Sequence, residues 1–139
     1  MKKVALIVAL VLIGTVTLAG CGDTGATAVE EPAQDGVFTA EEPEFSERGH
    51  KAVVEVTLED GQITAVAYDE VYEEGGGKKG DSEYNATMEG VSGISFDDAV
   101  AELEATLIES QNIDEVDVVS GATSSSEKFI SLVKEALNQ

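Results

Sequence analysis

Residues 52–71, AVVEVTLEDGQITAVAYDEV, contain the clearest structural pattern of this chain. Its first half alternates between apolar and polar side chains, as a half-buried strand does. Asp60-Gly61 then supplies a residue pair typical of a two-residue hairpin turn. The second half returns as the partner strand, with Ile63, Val66 and Tyr68 available for packing. Because its alternation is less regular, this strand either carries a bulge or packs on both faces.

Three amphipathic segments outside the hairpin predict helices. A short helix starts at Asp81 or Ser82, and a longer one opens at Ser95 with the spacing of a capping box. The apolar stripe of the longer helix consists of Phe96, Ala99, Val100, Leu103 and Leu107. A third helix is predicted from about Ser125 to Leu137, and the stretch from Ile113 to Val119 has a strand-like pattern. We therefore predict an α+β fold, a small antiparallel sheet with helices packed on one side.

Residues 1–20 have the composition of an export signal. Two lysines precede a short apolar run, which is followed by small residues and then Cys21. Leu-Ala-Gly-Cys resembles the lipobox of bacterial lipoproteins, which implies that Cys21 becomes the lipidated first residue of the mature protein. Residues 21–34 lack hydrophobic periodicity and predict a flexible tether, so one folded domain is expected over residues 35–139. The lipid would hold this domain at the outer face of a bacterial cytoplasmic membrane.

The chain is strongly acidic, with 28 Asp and Glu against 8 Lys and Arg and a formal net charge of −20. Removing residues 1–20 would remove two of the lysines and no acid. Such a surface repels nucleic acid and anionic lipid headgroups, which argues against a nucleic-acid partner. Two roles for the charge stay open, keeping an exported protein soluble and attracting cationic partners such as basic redox proteins.

A second informative stretch, DVVSGAT at residues 117–123, stands just before the third helix. Small residues precede Thr123, so a large planar group and a modifying enzyme can approach its hydroxyl. A phosphate at this position would meet unpaired N–H groups at the start of a helix. Ser124 and Glu127 have capping-box spacing and predict that the helix starts close to them. Without any chemistry, the same stretch would be a loop that ends in a serine-rich helix cap.

The stretch resembles the attachment motif Asp-x-x-Ser-Gly-Ala-Thr of the FMN-binding domain family, and every specified position matches. In that family a flavin transferase joins FMN to the last threonine through a phosphoester bond, which implies that Thr123 carries the flavin. The other residues for which the resemblance implies a place in the cofactor site are Asp117, Ser120, Gly121, Ala122 and Ser124.

A further pattern of lipoproteins in this family, Lys-x5-Tyr-Asn-x2-Met, is similar to the segment that contains Lys78, Tyr84, Asn85 and Met88. On this resemblance, Tyr84 would stack on the flavin ring and Asn85 would form hydrogen bonds with its polar edge. Lys78 would face a phosphate or the ring edge where negative charge develops on reduction. Two interpretations stay open for Tyr84 and Met88, because their i, i+4 spacing also predicts core residues on one helix face.

Several other catalytic and metal-binding patterns are missing from the sequence. Cys21 is the only cysteine and His50 the only histidine, which leaves no intramolecular disulfide, no thiolate cluster and no c-type haem motif. Nothing resembles a Ser-His-Asp arrangement, and His50 is expected to be a surface residue. Gly75-Gly76-Gly77 lacks the spacing and the following Lys-Ser/Thr of a phosphate-binding loop. We therefore expect neither a metal site nor a set of catalytic residues.

The resemblance implies an electron carrier more than an enzyme with its own substrate. Its FMN would take electrons from a membrane donor and pass them to an outer redox acceptor. Relatives of this kind are lipoproteins of flavin-based extracellular electron transfer and flavin-carrying subunits of ion-pumping quinone reductases. Two alternatives stay open. The lipobox, tether and small domain would also suit a non-redox surface-binding lipoprotein, and loosely bound FMN would suit a flavin reductase, although no nicotinamide site is evident.

Overall fold

The predicted hairpin forms two strands of a three-stranded antiparallel sheet in the computed structural model, which describes residues 34–138. The strands are β1 (Gly36–Glu41), β2 (His50–Glu59) and β3 (Gln62–Tyr72). Their order in the sheet is β1-β2-β3, so β2 is the central strand. Antiparallel neighbours joined by short connections give this order without any crossover.

The turn and the bulge of the hairpin are both confirmed. Asp60 and Gly61 have φ angles of 52° and 72°, the positive values that a type I′ turn requires. Thr57 on β2 pairs with Ala65 on β3, whereas the next residue, Leu58, pairs with Ile63. The skipped residue on β3 is the bulge that its irregular alternation predicted.

Three α-helices follow the sheet: α1 (Ser82–Ser92), α2 (Phe96–Ser110) and α3 (Thr123–Leu137). The predicted start of α1 is confirmed, because the Asp81 side chain accepts the N–H groups of Glu83 and Tyr84. The predicted start of α2 is also confirmed, since Ser95 Oγ accepts the N–H of Asp98 at 3.1 Å. These caps satisfy backbone donors that would otherwise lack partners.

The core lies between the sheet and the two longer helices. Helix α2 packs against β3, and α3 packs against β2 and β1, so both cover the same face of the sheet. Tyr68 of β3 meets Phe129 of α3 edge-on with ring centroids 5.5 Å apart, and Phe96 of α2 lies 6.3 Å from the same tyrosine ring. The predicted apolar stripe of α2 is completely buried. The structure confirms the α+β architecture.

The segment from Ile113 to Val119 does not form a strand, so this prediction is wrong. Its first residues form a short 3₁₀ helix, Ile113–Glu115. The buried residues that follow are Val116 and Val119, which are three positions apart, whereas strand periodicity requires two. The Val119 N–H donates to Ser126 Oγ at 3.1 Å, where a strand would pair with a neighbouring strand.

The predicted export signal, the lipidated Cys21 and most of the tether lie outside the described residues. Within residues 34–138, no helix is long and apolar enough to cross a membrane.

Candidate functional site

A glycine-rich loop after β3 folds back along the strand and sets the position of Lys78. The Lys78 N–H donates to the Glu70 carbonyl at 3.0 Å. The Asp69 carboxylate lies so close to Gly77 that a Cβ there would overlap with it, which accounts for a glycine at this position. The same carboxylate accepts the N–H of Lys79 at 2.9 Å. The loop therefore directs the Lys78 side chain back towards the interior.

Glu70 is a buried carboxylate at the centre of a hydrogen-bonded network, with only 2% of the residue exposed. It accepts hydrogen bonds from Lys78 Nζ at 2.6 Å, Ser125 Oγ at 2.7 Å and the Tyr68 hydroxyl at 3.2 Å. His50 Nε2 lies 3.1 Å from the same carboxylate. The network joins two strands of the sheet to α3, because its members come from β2, β3, the loop that follows β3 and the first turn of α3.

Hydrogen bonds keep Glu70 ionised despite its burial. Burial alone would raise the pKa of this carboxyl group, but the hydrogen bonds from Lys78 and Ser125 and the nearby ammonium charges outweigh it. The net result is a pKa below the ordinary value for glutamate. The Lys78 ammonium in turn lies 4.7 Å from the centre of the Tyr84 ring, so an aromatic face covers the buried ion pair.

The network opens into a pocket of about 480 Å³ that has three walls. One wall is α1, which contributes Tyr84, Met88 and Val91; the exposed fraction of Val91 is 86%. The second wall holds the charged groups, Glu70 and Lys78 among them. The third wall is the turn into α3, and its residues are Gly121, Ala122, Thr123, Ser124 and Ser125. A pocket of this size, apolar on one side and charged on another, suits a small aromatic ligand with a polar group.

Four successive hydroxyl groups at the start of α3 face different surroundings. Ser125 and Ser126 are buried and engaged, the first with the buried carboxylate and the second with the Ala122 carbonyl at 2.8 Å. Thr123 and Ser124 are exposed, and both line the pocket. Only these two hydroxyls are therefore accessible to a modifying enzyme.

Helix α3 begins two residues earlier than predicted, at Thr123, and the predicted capping box of Ser124 and Glu127 is wrong. Ala122 occupies the N-cap position and provides no side-chain acceptor. The first N–H groups of the helix consequently lack the capping side chain that the helices α1 and α2 possess. This helix end is suited to an anion, because backbone donors and the helix dipole both favour negative charge there.

Gly121 brings the C-terminal end of α1 into contact with the turn before α3. It has φ of 87°, a conformation that favours glycine. A Cβ at this position would lie 2.7 Å from the Ser92 carbonyl oxygen and 3.0 Å from a methyl group of Ile94. The glycine therefore allows two walls of the pocket to meet.

The fold brings together the residues of the Lys-x5-Tyr-Asn-x2-Met pattern, but Asn85 does not face the pocket, where a contact with the flavin was predicted. Lys78, Tyr84 and Met88 line the pocket. Asn85 does not line it: its amide nitrogen donates to the carbonyls of Lys78 and Asp81 at 3.1 and 2.8 Å, and its oxygen accepts the N–H of Asp97 at 2.8 Å. Asn85 thus connects the start of α1 with the start of α2.

Asp117 and Ser120 do not line the pocket, although they belong to the same motif as Thr123. Both are exposed to solvent, and the pocket is lined by the last three residues of the motif, Gly121, Ala122 and Thr123.

Sequence reasoning missed several residues that line the pocket, and a signal was available for one of them, Glu70. Glu70 follows Val66 and Tyr68 at intervals of two, so the alternation of β3 places a carboxylate on the buried face. His50 was expected at the surface, but its side chain is only 13% exposed and lies against Glu70, so that prediction is wrong. No local pattern marks Ser125, because its role depends on a partner 55 residues away.

The lining residues fit a phosphorylated aromatic cofactor such as FMN. Arg48, His50 and Lys78 concentrate basic groups at one pocket of a chain whose formal net charge is −20. The apolar and aromatic side chains of α1 stand opposite them, and the exposed Thr123 hydroxyl lies at the uncapped helix end. The residues present can therefore hold a planar ring and an attached anionic group within the same pocket.

Two solved structures share this fold. The CPE2226 protein from Clostridium perfringens is 38% identical, with a TM-score of 0.72 over 76% of this chain and 87% of that one. A protein from Clostridium thermocellum, solved by solution NMR, is 26% identical, with a TM-score of 0.53 over 76% of this chain and 90% of that one.

Sequence comparison identifies the family. The "15 kDa lipoprotein" of Treponema pallidum is 40% identical over 95 residues, which is 68% of this chain and 67% of that protein. The model of the FMN-binding domain family matches residues 48–138, a range that includes the sheet strands β2 and β3 and all three helices. Because this family model matches more than half of the chain, the chain belongs to the FMN-binding domain family.

Proposed function

We propose that this protein is a membrane-anchored, extracytoplasmic electron carrier with FMN covalently attached through a phosphoester to Thr123. The observation that carries the proposal is the position of the Thr123 hydroxyl. It is exposed, it belongs to the first residue of an uncapped helix, and it lines a pocket that also holds basic and aromatic groups. Membership of the FMN-binding domain family supports the choice of cofactor.

Attachment requires an activated flavin nucleotide and a flavin transferase. A bond forms between Thr123 Oγ and the flavin phosphorus, while the hydroxyl proton and the leaving group of the activated nucleotide depart. Thr123 is a better acceptor of the flavin phosphate than Ser124, because the two residues that precede it, Gly121 and Ala122, carry little bulk. The exposed side chains of Asp117 and Ser120 lie outside the pocket, where the transferase can contact them without displacing the cofactor.

The chain's own residues would hold the phosphate and the ring. The N–H groups at the start of α3 are positioned to donate to the phosphate oxygens, and Arg48 supplies a positive charge at the same pocket. Tyr84, Met88 and Val91 would cover the apolar part of the ring and exclude water from it. The bound flavin would supply the redox chemistry, and Lys78 would keep a positive charge near it.

A lipid at Cys21 would hold the domain at the outer face of the cytoplasmic membrane, with residues 22–34 as the tether. A membrane electron donor and an outer redox acceptor would then both be within reach of the domain. The similarity to a lipoprotein of Treponema pallidum supports this location.

Intact-mass measurement after co-expression with a flavin transferase in an exporting host tests the attachment. The parent chain should gain the mass of FMN less one water, and the Ser124→Ala chain should gain the same mass. Thr123→Val should gain nothing. If no variant gains mass while the transferase modifies a second, known substrate, a non-redox surface-binding lipoprotein becomes the better explanation.

The electron-transfer part of the proposal needs a separate test. Membrane vesicles that contain respiratory donors should bleach the flavin absorbance of the attached protein, and a soluble oxidant should restore it. An attached flavin that membranes cannot reduce, but dithionite can, would contradict the carrier function while leaving the attachment intact.

A further inference from the structure

His50 lines the pocket together with the charged side chains of Glu70 and Lys78. Its Nε2 atom is 3.1 Å from the Glu70 carboxylate, which in turn accepts the Ser125 hydroxyl at 2.7 Å. Ser125 is two residues after Thr123 and belongs to the same helical turn. A chain of two polar contacts therefore connects the imidazole with the turn that carries the proposed attachment point.

Charged groups from every neighbouring element face this imidazole. Glu70 on β3 attracts a positive ring, whereas Lys78 from the following loop and Lys128 from α3 repel it. Arg48 precedes it in the connection between β1 and β2, and its backbone forms a hydrogen bond that favours the charged ring. A neutral imidazole has one N–H to donate and a protonated one has two, so both the Glu70 and the Arg48 contacts are better used by the protonated form.

In the protein without a cofactor, burial and the neighbouring charges together disfavour the protonated imidazole. Burial lowers the pKa of His50 below its ordinary value, and Lys78 acts in the same direction more strongly than Glu70 opposes it. An anion in the pocket would favour the protonated ring, because it offsets the ammonium charges that face the ring.

We propose that His50 takes up a proton when negative charge enters the pocket, so that electron uptake by the bound flavin is coupled to proton uptake at this imidazole. This inference rests on the proposed FMN function. When a membrane reductant supplies two electrons and the flavin itself binds one proton, His50 would take up as much as one further proton from solvent at a ring nitrogen. These protons would leave when the outer acceptor takes the electrons.

Proton NMR of the full exported chain in mild detergent gives a direct test, because His50 is the only histidine and its ring signals are unambiguous. The titration is followed in three states: without FMN, with FMN attached and oxidised, and with FMN attached and reduced. The proton affinity of His50 should rise at each step, by about tenfold overall, as expected for an opposite charge placed nearby. Equal titration midpoints in the three states would overturn the proposal, while attachment, read from the intact mass, would still stand.

A second measurement keeps the proposal testable if FMN does not attach. Inorganic phosphate added to the unmodified chain is the probe, and it should raise the titration midpoint of His50 in the parent. The Lys78→Met variant should start from a higher midpoint, because it lacks the charge that opposes protonation. Failure of phosphate to move the His50 signals in a chain that also cannot be flavinylated would reject the coupling.

The pH dependence of the flavin midpoint potential supplies the functional readout. Between the His50 titration midpoints of the oxidised and reduced states, the slope of potential against pH should be steeper than that of His50→Gln, since His50 takes up part of a second proton with the two electrons. His50→Asn serves as a second variant if His50→Gln folds poorly. A parent and a variant with the same slope throughout this pH range would contradict the coupling.

Discussion

Replacing Glu70 by glutamine removes the charge at the centre of the buried network while nearly keeping its shape. Lys78 Nζ then faces an amide at the position where it now contacts a carboxylate oxygen at 2.6 Å. The two side chains are only 7% and 2% exposed, so solvent compensates little for the lost charge. Removing one member of such a buried pair costs about 3–5 kcal/mol of unfolding free energy. A domain of this size has only about 5–15 kcal/mol in total.

Replacing Lys78 by methionine should cost less unfolding free energy than Glu70→Gln, because Glu70 keeps other hydrogen-bond partners when Lys78 is lost. In Lys78→Met, the carboxylate keeps its hydrogen bonds from Ser125 at 2.7 Å and from Tyr68 at 3.2 Å. One charge-assisted hydrogen bond is lost, which corresponds to about 1.5–3 kcal/mol. The double variant Glu70→Gln/Lys78→Met contains neither buried charge, so its loss should be well below the sum of the two single losses. We expect a coupling energy of about 2 kcal/mol.

Urea denaturation of the four proteins, followed by circular dichroism, measures these free energies provided that the m-values agree. Lys134→Met is the matched control, since Lys134 Nζ and Asp114 are also 2.6 Å apart but their side chains are 46% and 71% exposed. This exposed pair should contribute less than about 1 kcal/mol. If Glu70→Gln costs no more than Lys134→Met, or if the two buried substitutions simply add, burial of the pair is not what makes it important.

Three further predictions concern the turn, the pH range and the redox potential. Gly121→Ala places a methyl group against the Ser92 carbonyl at positive φ and should lower the unfolding free energy, measured in urea, by about 1–3 kcal/mol. The control Gly90→Ala lies inside α1, where the added methyl group meets no atom within 4 Å, and should raise the unfolding free energy by about 0.5–1 kcal/mol. A reversed order of the two variants would refute the role of the close contact. Burial, followed by the charge of Glu70, raises the pKa of Tyr68. As pH rises above about 10, the unfolded chain loses its phenolic proton before the folded chain does, so the unfolding free energy should fall. Urea midpoints measured across that pH range should fall less steeply for Tyr68→Phe than for the parent. The formal net charge of −20 disfavours an anionic reduced flavin, so added salt should raise the midpoint potential of the attached cofactor, and a potential that does not respond would show that surface charge does not set it.

Local signals were enough to predict most of the fold. The Asp60-Gly61 turn and the alternation around it are properties of neighbouring residues, and the hairpin forms as predicted. The caps at Asp81 and Ser95 are equally local, because each side chain binds an N–H two or three residues away. The buried stripe of α2 follows from helical periodicity alone.

The remaining features depend on partners that are distant in sequence. Valines after the 3₁₀ helix suggested a strand, but the Val119 N–H is satisfied by a serine of α3. Helix α3 starts at Thr123, directly after the turn that Gly121 makes at positive φ. The cap had been expected at Ser124, whereas the neighbouring Ser125 contacts the distant Glu70. Of these distant partners, only Glu70 could have been predicted from the sequence, because the alternation of β3 places it on the buried face.

Peptide mapping of the flavinylated chain tests whether Thr123 carries the cofactor. After co-expression with the transferase and proteolysis, fragment-ion mass spectrometry of the peptide that contains residues 117–127 locates the added mass among its five hydroxyl-bearing residues, which are Ser120 and residues 123–126. The structure exposes Thr123 and Ser124 and buries Ser125 and Ser126. Our account predicts FMN less one water on Thr123 alone. The same mass on Ser124 or on a buried serine, or an unmodified peptide from a chain that has demonstrably met an active transferase, would contradict it.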